Sequence, residues 1–164
     1  MRAGAYQEVA RSTLARHFAA DEIRLDWLIG HDSATLSSAP PVDIAVGPFV
    51  SHGKQPDTLS PASLPEQVRD RLHELGLVPN AHPSCLLAIE VSFNGSPKHV
   101  LGDIVNASAL GLYALVIGQD DSMGKLHRNV DFLRGVVEQA SAPDLFQNIL
   151  LLRPREFELL FVKD

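Results

Sequence analysis

Apolar residues in this chain recur with two periods, and the alternation between them predicts the element order. Residues 5 to 20, AYQEVARSTLARHFAA, place Tyr6, Val9, Ala10, Leu14 and Phe18 at helical intervals. On the same segment Glu8, Ser12, Ala15 and Ala19 form a second stripe of mostly small residues. Small side chains let a helix approach a sheet closely, so Glu8 is either brought against the sheet or left as a solvated helix acid. Residues 22 to 30 alternate through Ile23, Leu25 and Trp27 and read as a strand. A turn-rich link follows, and then VDIAVGPF, residues 42 to 49, is a second strand. After the Pro/Ser/Gly loop 51 to 65, a short helix is predicted to run from Pro65 to Leu75. Ser63 and Glu66 are spaced as a capping box, Val68, Leu72 and Leu75 form the apolar face, and Gly76 stops the helix.

The third strand is CLLAIEVSF, residues 85 to 93. Ser96 is a good N-cap and Pro97 a good first residue for a helix ending near Gly111. LYALVIG, residues 112 to 118, is almost wholly apolar and should be a buried strand. QDDSMG reads as a turn, and residues 124 to 140 as an amphipathic helix through Leu126, Val130, Leu133 and Val137. ILLLRP and EFELLFV read as closing strands. Strands flanked by helices, with a crossover helix between the third and fourth, indicate an α/β fold with a sheet covered on both faces. One domain spanning 1 to 164 is expected, with a core at about 5 to 118 and a helix and strand extension at 119 to 164.

Length and composition agree with that picture. At 164 residues, 45% hydrophobic and 21% charged, the chain can bury a core of its own. Its one cysteine, Cys85, excludes an internal disulfide and suits a small buried strand position. No stretch approaches a membrane span, and the first residues are too polar for a signal peptide, so a cytoplasmic location is expected. The net charge of -6 argues against a protein that holds nucleic acid by bulk charge alone. Such binding would need a local basic patch, a metal, an oligomer or a partner. Arg153 with Arg155, and Lys125 with Arg128 and Arg134, are the notable basic groupings, and each also reads as a solvated face.

Chemistry concentrates in the acids of the apolar strands. Glu90 lies near the end of the third strand and Asp43 at the mouth of the second. Acids in such positions are paired or bind a cation. Two carboxylates suit Mg²⁺, which keeps several waters and shares itself with a substrate phosphate. Lys98 stands in the first turn of its helix, where the macrodipole disfavours a cation, and such a violation marks a functional candidate. On the same helix His99, Asp103 and Asn106 form a polar stripe that either lines the site or is the wet face of the helix, with the wet face favoured for Asp103. Other chemistries fit poorly. The seven histidines form no H-E-x-x-H, and His82 and Cys85 have a zinc-like interval without a second pair. G-x-S-x-G, P-loop and G-x-G-x-x-G motifs are absent.

Taken together, PPVDIAV, AIEVSF and SPKH in this element order resemble the PD-(D/E)XK nuclease superfamily, with its restriction-endonuclease-like fold of helix, three strands, helix and strand. The resemblance covers roughly residues 5 to 118. It implies that Asp43 is the first catalytic acid and Glu90 the second, both as metal ligands. The family's lysine normally stands two residues after the second acid, where this chain has Ser92. Some members carry that lysine from the following helix, which would make it Lys98. Many add an acid from the first helix, which would be Glu8. The implied activity is Mg²⁺- or Mn²⁺-dependent hydrolysis of a phosphodiester in DNA by Asp43, Glu90, Lys98 and Glu8. The alternative is a catalytically degenerate module of the same fold that binds protein or nucleic acid. The acidic net charge also makes a homodimer or a protein partner an expectation.

Overall fold

A computed structural model describes residues 2–28, 41–50, 59–142 and 144–162. The predicted link 31 to 41 and the loop 51 to 65 fall largely outside the described residues. The chain is α/β, with five strands in one mixed sheet flanked by helices. Helix α1 (Ala3–Leu14) precedes β1 (Ile23–Trp27) and β2 (Val42–Val46), and α2 (Glu66–Glu74) precedes β3 (Cys85–Val91). Helix α3 (Pro97–Leu110) leads into β4 (Gly111–Ile117), α4 (Asp120–Gln139) into β5 (Ile149–Leu152), and α5 (Pro154–Leu160) closes the described fold. Among the described residues no helix is long and apolar enough to cross a membrane.

The sheet order is β1-β2-β3-β4-β5. The first three strands are antiparallel neighbours, and the last three are parallel. β3, apolar except for Glu90, and the apolar β4 are interior strands with every residue buried. One face packs Ile44, Val46, Leu87, Ile89 and Val91 against Tyr6 and Leu14 of α1, Val68 and Leu72 of α2, and Phe157 of α5. The other packs Ala45, Ala88, Ala114 and Val116 against Val100, Ile104 and Ala107 of α3 and Leu126 and Val130 of α4. The alanines on this second face leave room for two helices to approach closely.

Local chemistry explains the boundaries. The Ser96 hydroxyl caps α3 by accepting from the His99 amide at 3.3 Å, with Pro97 in the first turn. At the other end of α3, Asn80 donates to the carbonyls of Ser108 and Ala109, and Asn148 donates to those of Ser108 and Gly111. Gly76, at φ +70°, stops α2 in the left-handed region that glycine enters without penalty.

Four sequence expectations are corrected. The residue capping α2 is Pro65, without a side-chain cap, in place of Ser63. QDDSMG is no turn: α4 begins at Asp120, where Asp120 and Asp121 favour the helix N-terminus and Met123 extends the buried stripe. EFELLFV is α5 rather than a strand. Pro154 starts it, Glu156 accepts from the Arg153 amide at 2.7 Å, and Phe157 and Phe161 are buried one turn apart. Each ring buried this way contributes about 1.5–3 kcal/mol, enough to override the β propensity of the segment. Finally, α1 ends at Leu14 and buries Tyr6, Ala10, Thr13 and Leu14, while Glu8, Ser12, Ala15 and Ala19 all face solvent.

Candidate functional site

The acids of the sheet meet where β2 begins and β3 ends. Ile44 pairs with Ile89 in the antiparallel ladder, so one step on, Asp43 stands opposite Glu90. Ile89 and Val91 belong to the core beneath α1, which turns Glu90 to the other face, towards α3. Like charges directly opposite each other in a sheet repel. Burial and the neighbouring Asp43 and Asp103 charges push the Glu90 carboxyl from its ordinary 4.5 up to about 9. Glu90 is therefore protonated at neutral pH and hydrogen-bonds to Asp43. The main-chain N–H of Asp43 also donates to it.

Asp43 is the better solvated of the two and carries the charge. Its Oδ2 accepts from the Val91 amide at 2.7 Å. Its carboxylate also accepts from Glu90 and from the Gln7 side chain of α1. Burial still raises it above the usual carboxylate range, and Asp26 of β1 adds to that rise. Asp26 lies between Leu25 and Trp27, which pair with Ile44 and Val42, so Asp26, Asp43 and Glu90 form a row across three strands.

Helix α3 adds a third carboxylate beside the pair. Asp103 is half-buried, accepts from the buried Ser92 hydroxyl at 3.4 Å, and lies 3.7 Å from His99 Nε2. Burial raises Asp103, and the Asp43 charge raises it further, against the lowering effect of His99. The site thus holds three acids in a half-dry corner of the sheet, with Glu90 neutral and the Asp43 charge acting against that of Asp103. Three carboxylate groups supply hard oxygen donors that suit Mg²⁺ or Mn²⁺. Among the described residues no three His, Cys, Asp or Glu side chains converge closely enough to hold an ion unaided. An ion bound here would take its remaining oxygens from water or a phosphate.

The other candidates lie apart. Lys98 is exposed on the first turn of α3, and no described hydrogen bond or ion pair ties it to Asp43, Glu90 or Asp103. Glu8 is exposed and pairs with Arg11 at 3.2 Å, so the first helix presents Gln7, not Glu8, to the acids. Asn106 is half-buried further along α3. His82 is exposed while Cys85 is fully buried in β3, which ends the zinc-like interval as a candidate. Burial raises the Cys85 thiol well above its ordinary value, so it is inert.

Asp103 and Gln7 carry legible signals in the sequence. Asp103 is three residues after Val100 and four before Ala107, both buried, so it flanks the sheet-facing stripe. Gln7 lies three residues before Ala10 and seven before Leu14, both buried, which also sets it beside the sheet-facing stripe. Asp26 had no comparable signal, because its position depends on the register of an edge strand. No family model matches the chain, and neither a curated protein nor a solved structure gives a significant match.

Proposed function

We propose that the corner formed by Asp43, Glu90 and Asp103 binds a divalent cation, Mg²⁺ or Mn²⁺, and hydrolyses a phosphodiester in DNA. The observation that carries this reading is Glu90 held protonated directly opposite Asp43, a shared proton whose place a cation would take. The sheet order, with two antiparallel strands leading into a parallel pair bridged by α3, supports a restriction-endonuclease-like topology.

Asp43 and Glu90 would hold the ion, with Asp103 supplying a further carboxylate oxygen directly or through water. When bound, the ion would acidify the attacking water and offset the charge developing on the phosphate. The Val91 amide and Gln7 fix the Asp43 carboxylate for that task, and the Ser92 hydroxyl orients Asp103. Glu90 would release its proton as the ion enters. Lys98, at the exposed start of α3, would offer its ammonium to the phosphate from solvent. Glu8, occupied by Arg11, has no part in this reading.

One observation favours a second reading. Ser92 fills the position where the resembling family carries its lysine, and it is engaged with Asp103, while no described hydrogen bond or ion pair ties Lys98 to the acids. That set suits a module which retains the fold and binds nucleic acid or protein without cleaving. A nicking assay on plasmid and branched DNA with Mg²⁺ or Mn²⁺ separates the two. Cleavage by the wild type that is lost in Asp43→Ala and in Lys98→Ala supports the nuclease with its lysine. Cleavage retained in Lys98→Ala removes that lysine from the mechanism. No cleavage of any substrate by the wild type supports the binding module.

A further inference from the structure

Five asparagines occur in the chain, and only Asn94 is followed by glycine. Asparagine is thermolabile because the main-chain N–H after it can attack its own side-chain carbonyl. A side chain on the next residue hinders that approach, and glycine has none. The fold disfavours the reaction at the other four. Asn80 donates to the carbonyls of Ser108 and Ala109 and accepts from the His82 amide. Asn148 is buried and tied to Ser108 and Gly111. Asn106 and Asn129 lie inside α3 and α4, where the nitrogen that would attack is committed to the helix ladder.

Asn94 stands instead in the loop between β3 and α3. On one side of it Phe93 is buried and packs on Tyr6, with ring centroids 5.5 Å apart. On the other, the Gly95 carbonyl accepts from the Lys125 ammonium at 3.1 Å. Between these anchors Asn94 is exposed. Among the described residues no hydrogen bond engages its side chain or the Gly95 N–H. The anchors therefore leave the two reacting groups free. Position 95 is also crowded: a side chain there would begin 3.0 Å from Val100 Cγ2 and 3.4 Å from His99 Cδ2, which favours glycine.

We propose that Asn94–Gly95 is a site of spontaneous modification, at which the folded protein converts the Asn94 amide to a carboxylate through a cyclic imide. The Gly95 nitrogen gives its proton to a base in solvent and bonds to the side-chain carbonyl carbon of Asn94. The bond from that carbon to the amide nitrogen breaks, and ammonia leaves. Water, the one co-reactant, then opens the ring at either carbonyl and leaves an aspartyl or an isoaspartyl residue. Both products carry a new negative charge just before the first turn of α3, where the helix dipole favours it. The isoaspartyl product also lengthens the main chain by one carbon, in the loop that joins the strand of Glu90 to the helix of Asp103. Neither metal nor DNA takes part, so the inference is independent of the carboxylate corner.

The test is peptide mapping by mass spectrometry of the purified full chain, held folded near neutral pH over weeks. A second sample is held unfolded in guanidinium chloride, and a digest at the start gives the background. Trypsin releases residues 72–98 as one peptide, which carries Asn80 as an internal control. The folded wild type should progressively lose the amide at Asn94, yield both aspartyl and isoaspartyl products, and keep Asn80 intact. Ion exchange of the intact protein should show a growing, more acidic species. Asn94→Gln, whose side chain must close a larger and slower ring, should show no comparable species, with circular dichroism confirming its fold. A folded chain that keeps Asn94 while the unfolded chain converts it overturns the proposal, because the fold then protects the site. Conversion of Asn80 as fast as Asn94, or a product without isoaspartate, also overturns it.

Discussion

Glu90 is the residue whose environment most departs from that of an ordinary side chain. Its raised carboxyl makes the folded chain bind more protons than the unfolded chain between pH 4.5 and about 9. Stability therefore falls as pH rises through that window, and the contribution is fully present only below it. Asp43 and Asp103, also raised, act in the same direction. Thermal melting without divalent cations is expected to show a midpoint that declines across this range. Glu90→Gln, which keeps the hydrogen-bonding shape without the charge, should flatten the decline and be the more stable protein at its alkaline end. A wild-type midpoint that climbs with pH over the same window would contradict the environment described for Glu90. Both strand acids were visible in the sequence, because a carboxylate in an apolar strand violates the pattern around it. The protonation of one by the other was not, because it follows from the cross-strand register of Asp43 and Glu90, which no local pattern encodes.

At the scale of elements, the strand cores and the start of α3 were readable from apolar runs and from Ser96 and Pro97. The misreadings share a cause. EFELLFV and QDDSMG have local propensities for strand and turn, and tertiary burial of Phe157, Phe161 and Met123 overrode them. The place of Glu8 stayed open in the sequence because two stripes on α1 are both plausible as the sheet-facing one, and the choice between them depends on what the helix packs against. The C-terminal end of α3 was legible in Gly111, but the groups that satisfy its carbonyls, Asn80 and Asn148, come from distant segments. Asn148 is 3% exposed, and its oxygen also accepts from the Ser108 hydroxyl at 2.6 Å. Asn148→Ala should destabilise the protein by about 1–3 kcal/mol for each buried group left without a partner. Chemical denaturation measures this directly, and a loss below about 0.5 kcal/mol, the range of an ordinary surface change, would show that these bonds are replaceable.

At the scale of the whole molecule, an acidic chain with a net charge of -6 carries a cluster of acids in one corner of its sheet. That arrangement opposes a polyanion unless a cation intervenes, so the proposed function depends first on the ion. Calorimetric titration of the wild type with Mg²⁺ or Mn²⁺ near neutral pH, in two buffers of different ionisation enthalpy, gives both the affinity and the protons displaced. The account expects binding with release of about one proton per ion, from Glu90, and loss of that release in Glu90→Gln. Absence of binding, or proton release unchanged in Glu90→Gln, would contradict it.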